Sequence, residues 1–463
     1  REIIMKNKMI QVGKQIIVLL VVCCLLSGSI PPASAKSLPH GWAGEEVAWQ
    51  YNPATKTLTF SGKGWMEDLY DEMSDVLSDP EYAPYVKNIK TVIFKEGIIS
   101  VGAACCYGMY NLTTVKFAKS IKTIDCMAFN CCYKLKKVTL PPNLKKIEYE
   151  AFCETAITKI RLPDGLKKLE WNAFDEGKIN EINFPKSIKK IPDTFYYYNK
   201  TMTSYKIPKQ ITSIGDGAFM GCKNLKSVTC NKALQKIGNS AFENCKKLNK
   251  VTFNPKLKKI ENSAFENCEN LETVIFNKDL KEIRQGAFEN CEKLTSIKLG
   301  SKLEVIGSKA FFQCRSLKNV VIPSGDPVLR SYVFSNCSQL ESVTIPDAVD
   351  VIEKGAFSRC TALKTIKLPN EIDKIEDKVF KGSGLEQITI PSEVYLIGKS
   401  AFQDCKNLKE IHIKSKKLEE VDQDVFKGIP SDCVIYVPKT KVEQYRGMFQ
   451  RSGLDPNIQI IGE

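Results

Sequence analysis

Ile237-Gly238-Asn239-Ser240-Ala241-Phe242-Glu243-Asn244-Cys245-Lys246-Lys247-Leu248-Asn249-Lys250-Val251-Thr252-Phe253 decides the fold, because the core of this stretch returns 23 residues later as Ala264-Phe265-Glu266-Asn267-Cys268, and again as Ala287-Phe288-Glu289-Asn290-Cys291. The pattern apolar-Gly-x-x-Ala-Phe-x-x-Cys-x-x-Leu-x-x-Val runs from about Val101 to Phe426, and its phenylalanine slot recurs fifteen times if Cys106 is counted as a degraded first copy. A fixed period of this length marks a solenoid, in which each unit touches only its neighbours. A coil this short cannot bury enough apolar surface to offset its own chain entropy, so stability must come from stacking.

The unit can be divided by its periodicities. In Leu225-Lys-Ser-Val228-Thr-Cys230 and Leu248-Asn-Lys-Val251-Thr-Phe253, apolar and polar residues alternate, which predicts a short strand with one face inward. Stacked in register at about 4.8 Å, fifteen such strands form a parallel sheet roughly 70 Å long. Ile237-Gly238, Ile306-Gly307 and Ile397-Gly398 put glycine at a bend, yet Glu148, Glu261, Glu353 and Glu376 fill the same place, so no positive φ is required there. Ala-Phe-x-x-Cys is read as one tight helical turn. Pro141, Pro163, Pro185, Pro323, Pro346, Pro369 and Pro391 close the strands, where a missing N–H does least harm.

The unit Ile237 to Val251 resembles the BspA-type leucine-rich repeats, which are abundant in secreted and surface proteins of host-associated bacteria and in some mucosal protozoa. Val47-Ala-Trp49-Gln-Tyr51 with Thr57-Leu-Thr-Phe-Ser-Gly-Lys-Gly64 is similar to the leader segment that often precedes them. The resemblance implies an α/β repeat solenoid, a curved leucine-rich-repeat superhelix with a parallel β-sheet, about fifteen coils, capped at both ends. It also implies adhesion to host matrix proteins or to other bacteria. At Phe174, Phe195, Phe380 and Phe426 the cysteine of the motif is replaced by Gly177, Tyr198, Ser383 and Ile429, and local irregularity is expected there.

Residues 1–35 read as a signal peptide: Lys6, Lys8 and Lys14 precede an apolar run from Ile16 to Leu26, and Ala33-Ser34-Ala35 offers a cleavage site. The run is too short for a membrane anchor, and no membrane span is expected elsewhere. Residues 36–88 are assigned to an N-terminal cap, 89–430 to the repeats and 431–463 to a C-terminal cap. The formal charge of +14 becomes +11 once Arg1 and three lysines leave with Glu2. Export, followed by release or non-covalent surface attachment, is the expected destination.

Eighteen cysteines in an exported chain would ordinarily suggest a disulfide framework. Nine of them, Cys132, Cys222, Cys245, Cys268, Cys291, Cys314, Cys337, Cys360 and Cys405, share one repeat position and form an inward row. Parallel Cβ vectors keep neighbouring Cβ atoms farther apart than a disulfide prefers, so free thiols packed as small hydrophobes are expected. A row of single thiols also lacks a tetrahedral metal set. A local disulfide remains open among Cys105, Cys106, Cys126, Cys131 and Cys153.

Two surfaces are candidates for binding. Outward strand positions, including Ser227, Thr229, Lys250, Thr252, Thr273, Ser296, Lys298, Ser342, Thr344, Thr365, Lys367 and His412, form a large, mildly basic face suited to an extracellular protein or glycan. Merely solvated residues are its bland reading. Before the bend, Lys122, Lys145, Lys146, Lys167, Lys168, Lys189, Lys190, Lys236, Lys258, Lys259, Lys281 and Lys374 form a basic stripe. That stripe either keeps the chain soluble or holds acidic glycans, anionic wall polymers or an acidic protein. Nucleic acid is not expected, because aromatic residues do not interleave with these lysines. Glu243, Glu266 and Glu289 form an acidic row expected to pair with nearby lysines. Catalysis is not expected either: the two histidines, His40 and His412, are far apart in the repeat order, and no phosphate loop or metal pair appears. No cofactor or metal site is assigned, and a monomer is expected. The reading is therefore a secreted, non-catalytic adhesin, with a structural surface component held on anionic wall polymers as the alternative.

Overall fold

Most coils of the computed structural model contain two extended pieces. Residues 40–67, 83–174, 178–325 and 328–463 are described. The proposed signal peptide, Cys23 and Cys24, part of the N-terminal cap and Gly177 lie outside them. One piece is the expected strand, such as Lys250–Thr252, whose central valine is buried between exposed neighbours. The other, such as Lys259–Ile260, is only two residues long and was not separable by periodicity. Together the coils make a solenoid of about 16 turns of parallel strands with little helix.

Both pieces stack in parallel register. In the long-strand ladder Ser204, Ser227 and Lys250 are successive partners, as are Thr273, Ser296, Asn319 and Ser342, then Gln387, Glu410, Val434 and Gln459. In the short-strand ladder six strands from Lys190–Ile191 to Val305–Ile306 pair without a gap. Interruptions fall partly where irregularity was expected. The short ladder stops between Lys168–Leu169 and Lys190–Ile191, on either side of Phe174. The segments around Val138 and Ile366 stay unpaired. The gap between Lys250–Thr252 and Thr273–Ile275 separates two regular coils, and the sequence offers no reason for it.

Ala-Phe-x-x-Cys is not helical. Ser240 and Asn244 adopt left-handed φ values of 50° and 58°, so the chain makes two linked turns. The amides of Ala241, Glu243 and Cys245 close back on Gly238, Ser240 and Phe242, while those of Ser240, Phe242 and Asn244 reach Asn262, Ala264 and Glu266 of the next coil. Alternation of the two conformations sends every second N–H along the solenoid, which a helix would keep for itself. Asparagine tolerates the left-handed region, and Asn244, Asn267 and Asn290 add a row of side-chain amide bonds of 3.1 and 2.9 Å. Gly238 serves close approach: a Cβ there would lie 2.7 Å from the Gly215 carbonyl carbon.

The spine is a file of phenylalanines. From Phe219 through Phe242, Phe265, Phe288, Phe311 and Phe334 to Phe426, successive rings stack at 4.9 to 6.2 Å within 5 to 11° of parallel. At the N-terminal end, Val47–Asn52 and Thr57–Gly62 form an antiparallel hairpin whose second strand joins Thr91–Phe94 in parallel, with Phe60 stacked on Phe94 at 5.0 Å. At the other end helix Val442–Arg451 lays Phe449 edge-on against Phe426 at 5.2 Å. Tyr445 donates its hydroxyl to the Ser415 carbonyl at 3.0 Å and accepts from the Leu418 amide at 3.2 Å.

All sixteen cysteines of the described residues are free thiols, including Cys105, Cys106, Cys126, Cys131 and Cys153, where a disulfide had been left open. In the row each thiol donates to a buried carbonyl of the preceding coil: Cys245 to Phe219, Cys268 to Phe242, Cys291 to Phe265 and Cys314 to Phe288, at 3.1 to 3.3 Å. Burial raises Cys291 and Cys314 well above the ordinary range and holds Cys360 at about 12. They pack as neutral donors, a role the sequence reading had not assigned.

Candidate binding surfaces

The strand face is built by period-two alternation: with Val228, Val251 and Val274 buried, the residues on either side must face out. Thr229, Lys250, Thr252, Thr273, Ser296, Lys298, Ser342, Thr344, Thr365 and Lys367 are exposed, whereas Ser227 and His412 are half-buried. Register brings Ser227 beside Lys250 and Thr229 beside Thr252. The hydroxyl of Ser342 donates to Asn319 Oδ1 at 2.6 Å. Thr365 and Lys367 belong to a coil whose strand is unpaired, so the face opens there into a groove of about 670 Å³ that also takes in Gln387, Thr389, His412 and Lys414. A second groove, about 560 Å³, opens at the other unpaired segment between Val138, Lys159, Arg161, Glu181 and Asn183.

His412 does not project freely. It stacks on Tyr436 at 4.6 Å, with Glu463 3.2 Å from Nδ1 and Glu410 3.4 Å from Nε2. Lys414 bonds Glu463 at 2.5 Å and, ahead of His412, holds that carboxyl below its usual range. Glu463 lies 51 residues away in sequence, and no repeat spacing pointed to it. Among the described residues no group of three or more histidine, cysteine or acidic side chains is placed to hold a metal.

The lysine stripe resolves into two columns. Lys146, Lys168, Lys190, Lys236 and Lys259 open the short strands, and each is ion-paired: Lys146 with Glu148, Lys168 with Glu170, Lys190 with Asp193 at 2.7 Å, Lys236 with Glu261 at 2.9 Å and Lys259 with Glu282 at 3.2 Å. Residues two apart in a strand share a face, so Lys-Ile-Glu neutralises itself. Lys374 repeats this with Glu376 at 2.9 Å. Lys122, Lys145, Lys167, Lys189 and Lys258, one residue earlier, are exposed and have no carboxylate at ion-pair distance among the described residues, while Lys281 pairs with Glu304 at 2.6 Å.

Two readings change here. Aromatic residues do accompany the lysines locally: Tyr149, just after Lys145 and Lys146, stacks at 5.3 Å on Trp171, just after Lys167 and Lys168, and Trp171 is 46% exposed. The acidic row is not paired with lysines among the described residues. Glu243 accepts from the Asn244 side chain at 3.0 Å, and burial, then the neighbouring Glu266, raises Glu289.

A family model described as "BspA type Leucine rich repeat region (6 copies)" matches residues 80–203, 191–318 and 327–454. Among solved structures, a leucine-rich repeat protein from Bacteroides ovatus is 18% identical over 94% of this chain and 100% of its own, with a TM-score of 0.58. One from Eubacterium ventriosum is 20% identical over 85% and 95%, with a TM-score of 0.46. No curated protein matches the chain. Repeats of this kind are in general non-catalytic binding scaffolds, proteins built from them are found secreted or at the cell surface, and no helix of the described residues is long and apolar enough to cross a membrane. With its period, its two strand ladders and its file of phenylalanines, the chain belongs to the BspA-type leucine-rich repeat family.

Proposed function

We propose that this protein is a secreted or surface-held adhesin, without catalytic activity, that engages an extracellular protein or glycan of a host or neighbouring microbe through its strand face. The observation that carries this reading is the row of exposed hydroxyls and lysines, repeated from coil to coil and opening into two grooves. An interface spread over many coils suits a macromolecule, whereas a small ligand needs an enclosed apolar pocket.

Binding of the full chain to matrix proteins, mucins and glycans at low and raised ionic strength tests it. A specific ligand is expected to be retained at high salt and lost when Thr229, Thr252, Thr344 and Thr365 are together replaced by aspartate. A ligand indifferent to those four changes would place binding elsewhere.

A further inference from the structure

The unpaired lysine column follows one repeat position, bonded coil to coil through the backbone except between Lys167 and Lys189. The amide of Lys145 bonds the Lys122 carbonyl, Lys167 bonds Lys145, Thr212 bonds Lys189, and Gln235, Lys258, Lys281 and Glu304 each bond the residue before them in the file. Along this file the charge changes sign. Lysine gives way at Glu304, which pairs with Lys281; after Pro327 the same position is held by Asp350, Asp373, Tyr395 and Glu419, all exposed. The parallel column one residue on is neutralised coil by coil. Unpaired lysine in this file is therefore confined to the seven coils from Lys122 to Lys258, a length of about 29 Å.

We propose that this bounded edge is a binding site for an acidic polysaccharide, separate from the strand face. The inference rests on the chain being an extracellular binding protein. The coil repeat of about 4.8 Å is close to the rise of one sugar in an extended polyuronate, so one carboxylate can meet one coil. Duplex nucleic acid places phosphates more densely, about one per 1.7 Å of axis. Single strands need a run of open aromatic faces, whereas along this edge Tyr149 and Trp171 stack on each other and each has one face covered. The acidic end of the file repels a polyanion that runs past Glu304, which fixes the footprint and its direction.

Calorimetric titration of the full chain with size-graded polygalacturonate fragments tests this. Affinity is expected to rise with fragment length and level off near about seven sugars, one per coil. Replacing Lys122, Lys145, Lys167, Lys189 and Lys258 together by glutamine is expected to weaken binding about tenfold or more and to flatten its salt dependence by about five charges. Removing whole pairs, Lys146 with Glu148, Lys168 with Glu170 and Lys374 with Glu376, is expected to change affinity less than about twofold. Equal losses in the two sets, affinity that keeps rising beyond that length, or tighter binding of single-stranded DNA or polyphosphate of equal charge would overturn the proposal. The strand-face aspartate variant is expected to keep polygalacturonate binding, so the two surfaces fail independently.

Discussion

Replacing Phe265 by alanine is expected to divide the solenoid in two. The ring is fully buried, stacks on Phe242 and Phe288 at 5.1 Å each, and meets Phe253 edge-on at 5.8 Å. Loss of a buried phenyl costs about 3 to 5 kcal/mol, which already contains those ring contacts, each worth about 0.5 to 1.5 kcal/mol. Phe265→Leu keeps most of the volume and should lose mainly the ring contacts, about 1 to 3 kcal/mol. Because a solenoid is held by nearest-neighbour terms, the loss falls on two adjacent interfaces and should uncouple the coils on either side. Urea unfolding followed by circular dichroism should then show two transitions where the parent shows one, with hydrogen exchange accelerated first around Ser240 to Asn290. A single transition displaced by less than about 1 kcal/mol would refute the neighbour-stacking account.

Other outcomes follow from particular side chains. Among the cysteines of the described residues, an aromatic disulfide reagent should label in the native protein only the half-buried Cys126, Cys131 and Cys230, the others reacting on unfolding; prompt labelling of Cys291 or Cys314 would show that the row is open to solvent. Glu289→Gln should raise the melting temperature at neutral pH. The native carboxyl binds its proton more tightly than the unfolded one, so its charge weakens the fold as pH rises through the raised value, and the gain from glutamine should vanish below about pH 4. Tyr445→Phe removes the partner of the Leu418 amide and the donor to Ser415, and should cost about 1 to 3 kcal/mol, read as earlier proteolysis beyond Gly428.

Periodicity made much of this molecule legible, because a residue type that recurs every 23 positions must occupy one environment. Phe265 and Cys268 could be assigned to the interior on that ground alone, as could the exposure of Lys250 and Thr252. The turns were not legible, since Ser240 and Asn244 take left-handed conformations that many residue types tolerate: Lys309, Gln313 and Arg359 hold equivalent places. A two-residue strand such as Lys259–Ile260 has no period to detect. The neutralisation of Lys146 and Lys168 was available, because Lys-Ile-Glu148 and Lys-Leu-Glu170 set opposite charges two residues apart on one face. The stacked Tyr149 and Trp171 were equally available as aromatics one coil apart. The cluster around His412 was not, since Glu463 enters it from outside the repeat.

The hydrogen-bonded turns give the solenoid a modularity that its spine alone would not. Each coil donates to its successor's carbonyls, as the amides of Ser240, Phe242 and Asn244 do to Asn262, Ala264 and Glu266, and offers the equivalent carbonyls of its own to the amides of its predecessor. Excising residues 243–265 would join Phe242 to Glu266-Asn267-Cys268, the same tripeptide that followed it before, and leave every file closed. Coil number can therefore change by recombination between repeats without a new interface having to be invented. What changes is span: how far apart two points on a ligand may lie and still be held by one chain.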